Sequence, residues 1–262
     1  MWSWPAFAGQ LLGDDWSALE GADVVVFGEV HDNPNHHRNQ ANAVAALGPA
    51  ALVFEQITPD LAARISPDLI ADPARLEAVL EWEDRGWPDF AMYYPIFAAA
   101  RDAAYFGGGA SSQDVRRAVD EGAARAFGDG AELFGLEQAL SDDEQSERQT
   151  IQHEAHCGAL PAEMLPGMVQ AQRLRDASLA RAALAAHYEA VLRGTGPVVV
   201  ITGNGHAGNR WGVPSLLRMQ EPDLTVVSIA QFETQTPDAP EFDHWLVTDA
   251  VERDDPCAVF RK

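Results

Sequence analysis

At 262 residues with a formal net charge of −22, the chain suits one large α/β domain or two small ones. Its surface repels nucleic acid and anionic lipid, so a basic partner or a small ligand fits better than a phosphate polymer. Hydrophobic residues make up 47%, enough to build a core, yet no apolar run approaches the roughly 20 residues that cross a bilayer.

The opening, Met1 to Trp16, has no basic region and is broken by Pro5, Gly9 and Gly13. As it stands it is no signal peptide, and the chain reads as cytoplasmic; a periplasmic or membrane-anchored protein is the alternative if a leader has been removed. The first strand is expected at Ala22–Phe27, a β-branched run suited to burial on both faces of a parallel sheet. A helix starts at Pro34, with Asp32 or Asn33 as its cap, and stops at Gly48-Pro49. Further strands are expected at Ala51–Phe54, Ala103–Phe106, Pro197–Thr202, Leu224–Ala230 and His244–Thr248. Helices are expected at about Pro73 to Arg85, at Asp114 to Gly122 after Ser111-Ser112, and at about Gly167 to Arg193.

Strands alternating with helices argue an α/β fold, a mostly parallel sheet with helices on both faces. The strandless, acidic stretch from about Asp129, continued through the long helix, reads as a helical insertion or lid (about 129–193) within a single domain, 1–262. Cys157 and Cys257 lack the spacing of a metal or redox pair and read as two free thiols, with a lone bridge open in an oxidising compartment.

Ligands of open parallel sheets bind beyond the carboxyl ends of the strands. Three expected strands end in reactive residues: Gly28-Glu-Val-His-Asp-Asn-Pro34, Glu55-Gln56 and Gly203-Asn-Gly-His-Ala-Gly208. If these strands are neighbours, Glu29, His31, Glu55 and His206 share one crevice. Such a set could ligate a divalent metal or move protons, a Glu orienting a His as general base. The bland account is that the carboxylates pair with Arg or cap helices and the imidazoles are merely satisfied. His36 and His37 fall in the first turn of a helix, where the dipole favours the neutral ring as ligand or base.

Gly203 to Gly208 also spells the dinucleotide fingerprint. It comes late in the chain, and Gly212 and Pro214 break the helix that the fingerprint should open, so a Rossmann cofactor is set aside. His153 and His156 share a helix face, read as solvated. Trp82, Trp87, Tyr93 and Tyr94 form an aromatic patch that either fills the core or stacks on a flat ligand.

Taken together, Gly28 to His37, Glu55, Tyr94-Pro95, Gln172 to Ala180, Gly203-Asn-Gly-His206 and Gly212-Val-Pro214 resemble the ChaN family. That is the haem-binding uptake branch of a superfamily that includes Tiki, TraB and erythromycin-esterase-like proteins. The likeness runs from about residue 20 to residue 235. It implies an α/β fold with a helical extension, and haem binding linked to iron acquisition. It also implies haem held through a tyrosinate at a subunit contact, hence a possible homodimer. Tyr94 is the residue carried over as iron ligand, with Tyr93 and Tyr105 in reserve, because a hard anionic oxygen favours ferric iron. Related branches resemble metal-dependent peptidases or esterases built on the same Glu-x-His and Gly-x-x-His elements.

Overall fold

The computed structural model describes residues 8–258 apart from Asp14, Thr195 and Pro256; residues 1–7, part of the stretch expected to hold no leader, lie outside it. The chain forms two compact units, one of residues 1–109 and 179–250, the other of 110–178 and 251–262.

The first unit carries a seven-stranded sheet: β1 (Gly9–Gln10), β2 (Val24–Phe27), β3 (Ala51–Phe54), β4 (Ala104–Gly107), β5 (Val198–Ile201), β6 (Val226–Glu233) and β7 (His244–Thr248). The order is β1-β7-β6-β2-β5-β3-β4, and every pair is parallel. Every residue of β2, β3 and β5 is buried, so both faces of the centre are covered, as their β-branched runs require. All six expected strands form. The two-residue β1 is too short to leave a pattern.

The helix Pro34–Leu47 begins as its sequence dictates. Asn33 accepts from the Asn35 amide, Pro34 takes the first position, and Gly48 ends the helix in the left-handed region. The helix expected at 73–85 is interrupted instead. Pro73–Val79 is helical, Glu81 adopts φ of 53°, and only a single turn at Glu83–Arg85 comes after it. Phe90–Ala99 is a helix that periodicity hid, because it has no polar stripe and holds Pro95 in its interior. Its Phe90, Tyr93, Ile96 and Phe97 join Phe27, Leu52, Phe54, Trp82 and Ile201 in the core; Phe54 and Phe97 stack with centroids 4.4 Å apart.

The second unit is helical where described, with Ser112–Glu121, Ala123–Phe127, Asp142–Ala155 and the first part of the long helix Leu165–Arg193. The buried Arg173 donates from its guanidinium to the carbonyls of Gly135 and Gln138. The cysteines are not free thiols. Cys157 and Cys257 form a disulfide across 100 residues, which spacing along the chain could not show.

Reduction should therefore matter. Thiol titration of the native protein is expected to find no reactive cysteine, and two after reduction in denaturant. Breaking the bridge should destabilise the helical unit by about 2–4 kcal/mol through the gain in unfolded-chain freedom, read by denaturant melts with and without reductant.

Candidate functional site

β5 lies between β2 and β3, with Ile201 in register with both Phe27 and Phe54. The next residues therefore leave the sheet side by side. Gly28 donates its amide to the Ile229 carbonyl, Glu55 to the Ile201 carbonyl and Thr202 to the Phe27 carbonyl. A side chain at Gly28 would run into Asn204 and the Ile229 carbonyl, so glycine is required there by space.

Glu29 is 2% exposed, and its carboxylate is surrounded by donors. Oε1 accepts from His31 Nδ1 at 2.7 Å, from the Tyr93 hydroxyl at 2.7 Å and from Gln56 Nε2 at 3.0 Å. Oε2 accepts from Gln40 Nε2 at 2.8 Å, with His37 Nδ1 3.5 Å away. Burial on its own would raise the carboxyl pKa, yet the bonds and charges of His31 and His37 bring it down to about 2. Glu29 is an anion across the ordinary pH range, committed to its neighbours.

The second pair is built around Glu55. Oε2 accepts from the Thr202 hydroxyl at 2.7 Å and the Gly203 amide at 2.8 Å, while His206 Nε2 lies 3.4 Å from Oε1. Burial opposes the charge here too; His206, His31 and the Gly203 amide overcome it and hold this carboxyl well below its usual range. His206 rides on the short helix Asn204–Ala207, capped by Gly203. A methyl group on Gly203 would sit 2.9 Å from His31 Nε2 and 3.7 Å from Glu55 Oε2. That glycine is what lets the two pairs approach each other.

The structure thus brings Glu29, His31, Glu55 and His206 to one sheet mouth, as two carboxylate–imidazole pairs. The four-ligand metal centre entertained from the sequence does not fit. Among the described residues no group of three or more His, Cys, Asp and Glu side chains is disposed to hold a metal ion, and Glu29 spends both oxygens on internal donors.

The other expected residues divide. His36 Nδ1 accepts from the Val30 amide at 2.8 Å, which leaves Nε2–H for Thr248 Oγ1 at 3.0 Å. Burial drives its pKa down to about 4, so this ring is neutral as expected, but as a brace for the loop. His37 corrects the same expectation. Its Nε2 faces the His31 carbonyl and its Nδ1 faces Gln40 Oε1, two acceptors, and despite burial its pKa is raised by Glu29. For His31, burial is likewise outweighed by the bond to Glu29 and the charges of Glu29 and Glu55, and its pKa is raised. Tyr94 donates to the Ile70 carbonyl at 3.1 Å, and Tyr105 to those of Phe97 and Ala100. Burial and the adjacent Glu29 charge push the Tyr93 hydroxyl far up.

Sequence reasoning missed Gln40, Gln56, Thr202 and the role of Tyr93. A faint signal existed for Gln40, which comes four residues after His36 and three after His37, so the three lie along one side of the helix.

An all-parallel α/β sheet with paired carboxylates and imidazoles at its carboxyl mouth defines the class. The model of one family, described as haem-binding uptake, Tiki superfamily, ChaN, matches residues 16–217, and the chain belongs to that family. Among solved structures it is similar to ChaN of Campylobacter jejuni, described as binding heme cofacially. The identity is 14%, the TM-score 0.59, and the match covers 84% of this chain and 86% of the other. The type III effector HopBA1 is similar at 14% identity over 87% and 88% of the two chains, with a TM-score of 0.44 that bears no functional weight. No curated protein matches in sequence.

His36 offers a test by pH. Its pKa is depressed in the fold, so between pH 6.5 and about 4 the unfolded chain takes up a proton that the folded chain refuses. Stability is then lost as pH falls through that window, by roughly 3 kcal/mol. The raised pKa values of His31 and His37 act in the opposite sense, so the readout is the difference between wild type and His36→Gln. Urea melts from about pH 7 to about pH 4 should show the variant losing less stability on acidification than the wild type.

Proposed function

We propose that this protein binds haem and serves in haem or iron handling. The observation that carries the reading is membership, over residues 16–217, of a family described by haem-binding uptake. Fold similarity to the Campylobacter jejuni protein is consistent with it. The disulfide favours an oxidising compartment such as the periplasm over the cytoplasm.

The tyrosines expected as iron ligands are engaged within the fold. Tyr93 is fully buried and hydrogen-bonded to a carboxylate, which disfavours its anion, while Tyr94 and Tyr105 give their hydroxyl protons to main-chain carbonyls. Titration with ferric haem should give a saturable Soret shift at micromolar concentration, accompanied by the homodimer that the family resemblance implies, and unchanged in Tyr94→Phe. Absence of any saturable shift in the wild type removes the reading. Loss of the shift in Tyr94→Phe would restore the tyrosinate.

One observation favours a second reading, hydrolysis by acid–base chemistry. Glu29 fixes His31 Nδ1 as a donor, and among the described residues none hydrogen-bonds His31 Nε2, on a side chain 36% exposed at the sheet mouth. That is the arrangement of an oriented general acid or base, with Glu29 positioning the ring and the Glu55–His206 pair beside it. Against a panel of esters and peptides, any turnover should fall about 10²–10⁴-fold in His31→Ala. Turnover indifferent to both His31→Ala and His206→Ala would dispose of this reading.

A further inference from the structure

Beside His31 the sheet mouth carries a cation that no carboxylate neutralises. Arg85 belongs to the single turn Glu83–Arg85, and Trp87 follows two residues later. Arg85 Nε donates to the Gln56 carbonyl at 3.1 Å, just beyond the end of β3. The Trp87 ring meets the His31 imidazole edge-on, with centroids 5.1 Å apart, just beyond the end of β2. These two contacts hold the segment against the mouth.

The anchor of this cation is rigid. Gln56 is fully buried and its Nε2 bonds Glu29 Oε1, so the carbonyl that holds Arg85 is fixed. Trp82 packs 4.8 Å from Tyr93 and donates from its indole to the Pro88 carbonyl, which closes the loop on itself. Arg85 is half-buried, yet among the described residues no group accepts from its Nη1 or Nη2, and no carboxylate lies within ion-pair distance. That is unusual in a chain with 40 acidic residues against 18 Lys and Arg. In the same unit Arg64, Arg193, Arg210 and Arg218 each have a carboxylate partner. Glu29 and Glu55, the carboxylates of the mouth, give their oxygens to other donors. The guanidinium is therefore pinned at one nitrogen and keeps two amino groups for an anion, in the planar fork that matches a carboxylate.

We propose that Arg85 binds a carboxylate of the substrate, so that the reaction at His31 is hydrolysis of small esters whose acyl chain ends in a second, negative group. The inference rests on the hydrolytic reading and gives it a substrate class. In that reaction the oxygen of water bonds the ester carbonyl carbon while His31 Nε2 takes its proton. The acyl C–O bond then breaks, and the proton passes to the departing alkoxide. The net charge of −22 repels a polyanion, whereas one short anion is met by one fixed guanidinium. Trp87, half-buried beside His31, offers an apolar surface to the carbon chain between the two ends.

Paired esters decide it, on the intact chain with its disulfide. The 4-nitrophenyl monoesters of adipate and suberate are compared with the uncharged 4-nitrophenyl hexanoate and octanoate of matching length. In the wild type kcat/KM should be at least about tenfold higher for the charged member of a pair. Arg85→Gln should bring that ratio to about one, and Arg85→Lys should hold an intermediate ratio, since it keeps the charge and loses the fork. Arg64→Gln, which removes a cation paired with Glu81, should keep the wild-type ratio. A mere brace at Arg85 would lower both members of a pair alike. A wild-type ratio near one, or a ratio that Arg85→Gln leaves unaltered, overturns the assignment while the hydrolytic reading stands. If the wild type turns over no ester, the reading and the assignment fall together. Should Arg85→Gln fail to fold, inhibition of octanoate-ester turnover in the wild type decides: adipate should inhibit and hexane-1,6-diol should not, and equal effects of the two would overturn the proposal.

Discussion

The sheet mouth depends on one buried anion. Glu29 sits almost entirely out of water, where an unpaired carboxylate would cost several kcal/mol. It is tolerated because four side chains bring hydrogen to its two oxygens, Gln40 from the first helix, Tyr93 from Phe90–Ala99, Gln56 from the segment after β3, and His31 from its own loop. Four separate stretches of chain are thereby held to one point. Charge-assisted hydrogen bonds of this kind contribute more than neutral ones, and removal of the shared acceptor would take the charged partner from four buried or half-buried donors, of which Gln40 would keep the Phe27 carbonyl and Tyr93 the more distant His31 carbonyl. The same anion gives His31 and His37 their raised proton affinity. It therefore sets both the local architecture and the charge of the site.

Strand order makes this possible. Because β5 threads between β2 and β3, a chain segment near residue 200 delivers Thr202 and Gly203 to Glu55 and places His206 beside it. The Glu55 pair then faces the Glu29 pair across a residue with no side chain. Asn33 and His36 brace the far side of the same loop on Glu233, Thr248 and Asp249 at the ends of β6 and β7. A site organised this tightly is rigid, which suits oriented proton transfer.

Much of the sheet was legible because burial on both faces writes itself as continuous β-branched sequence, as in Val24 to Phe27 and Val198 to Ile201. The four strand-end residues were legible for a related reason, since polar groups that come directly after such a run must emerge at its mouth. What holds them was not. Tyr93 meets Glu29 across 64 positions and Gln56 across 27, contacts decided by packing that no local pattern records. The choice between Tyr93 and Tyr94 needed the register of a helix whose apolar residues run all the way round. Adjacent residues on a helix point about 100° apart, so one tyrosine turns to the carboxylate and the other to the Ile70 carbonyl. The cysteine pair failed for want of the same tertiary knowledge, its members being 100 residues apart.

The organising role of Glu29 is open to direct measurement by following each histidine ring through a pH titration by NMR. In the wild type, His31 should titrate with a midpoint above the ordinary value near 6.5 and hold its Nδ1 proton in slow exchange with water. In Glu29→Gln the midpoint should drop to that value or below it, since burial is then unopposed by a neighbouring anion. An unchanged His31 midpoint in a folded Glu29→Gln protein would contradict the account, because the imidazole would then owe its state to something other than the buried carboxylate.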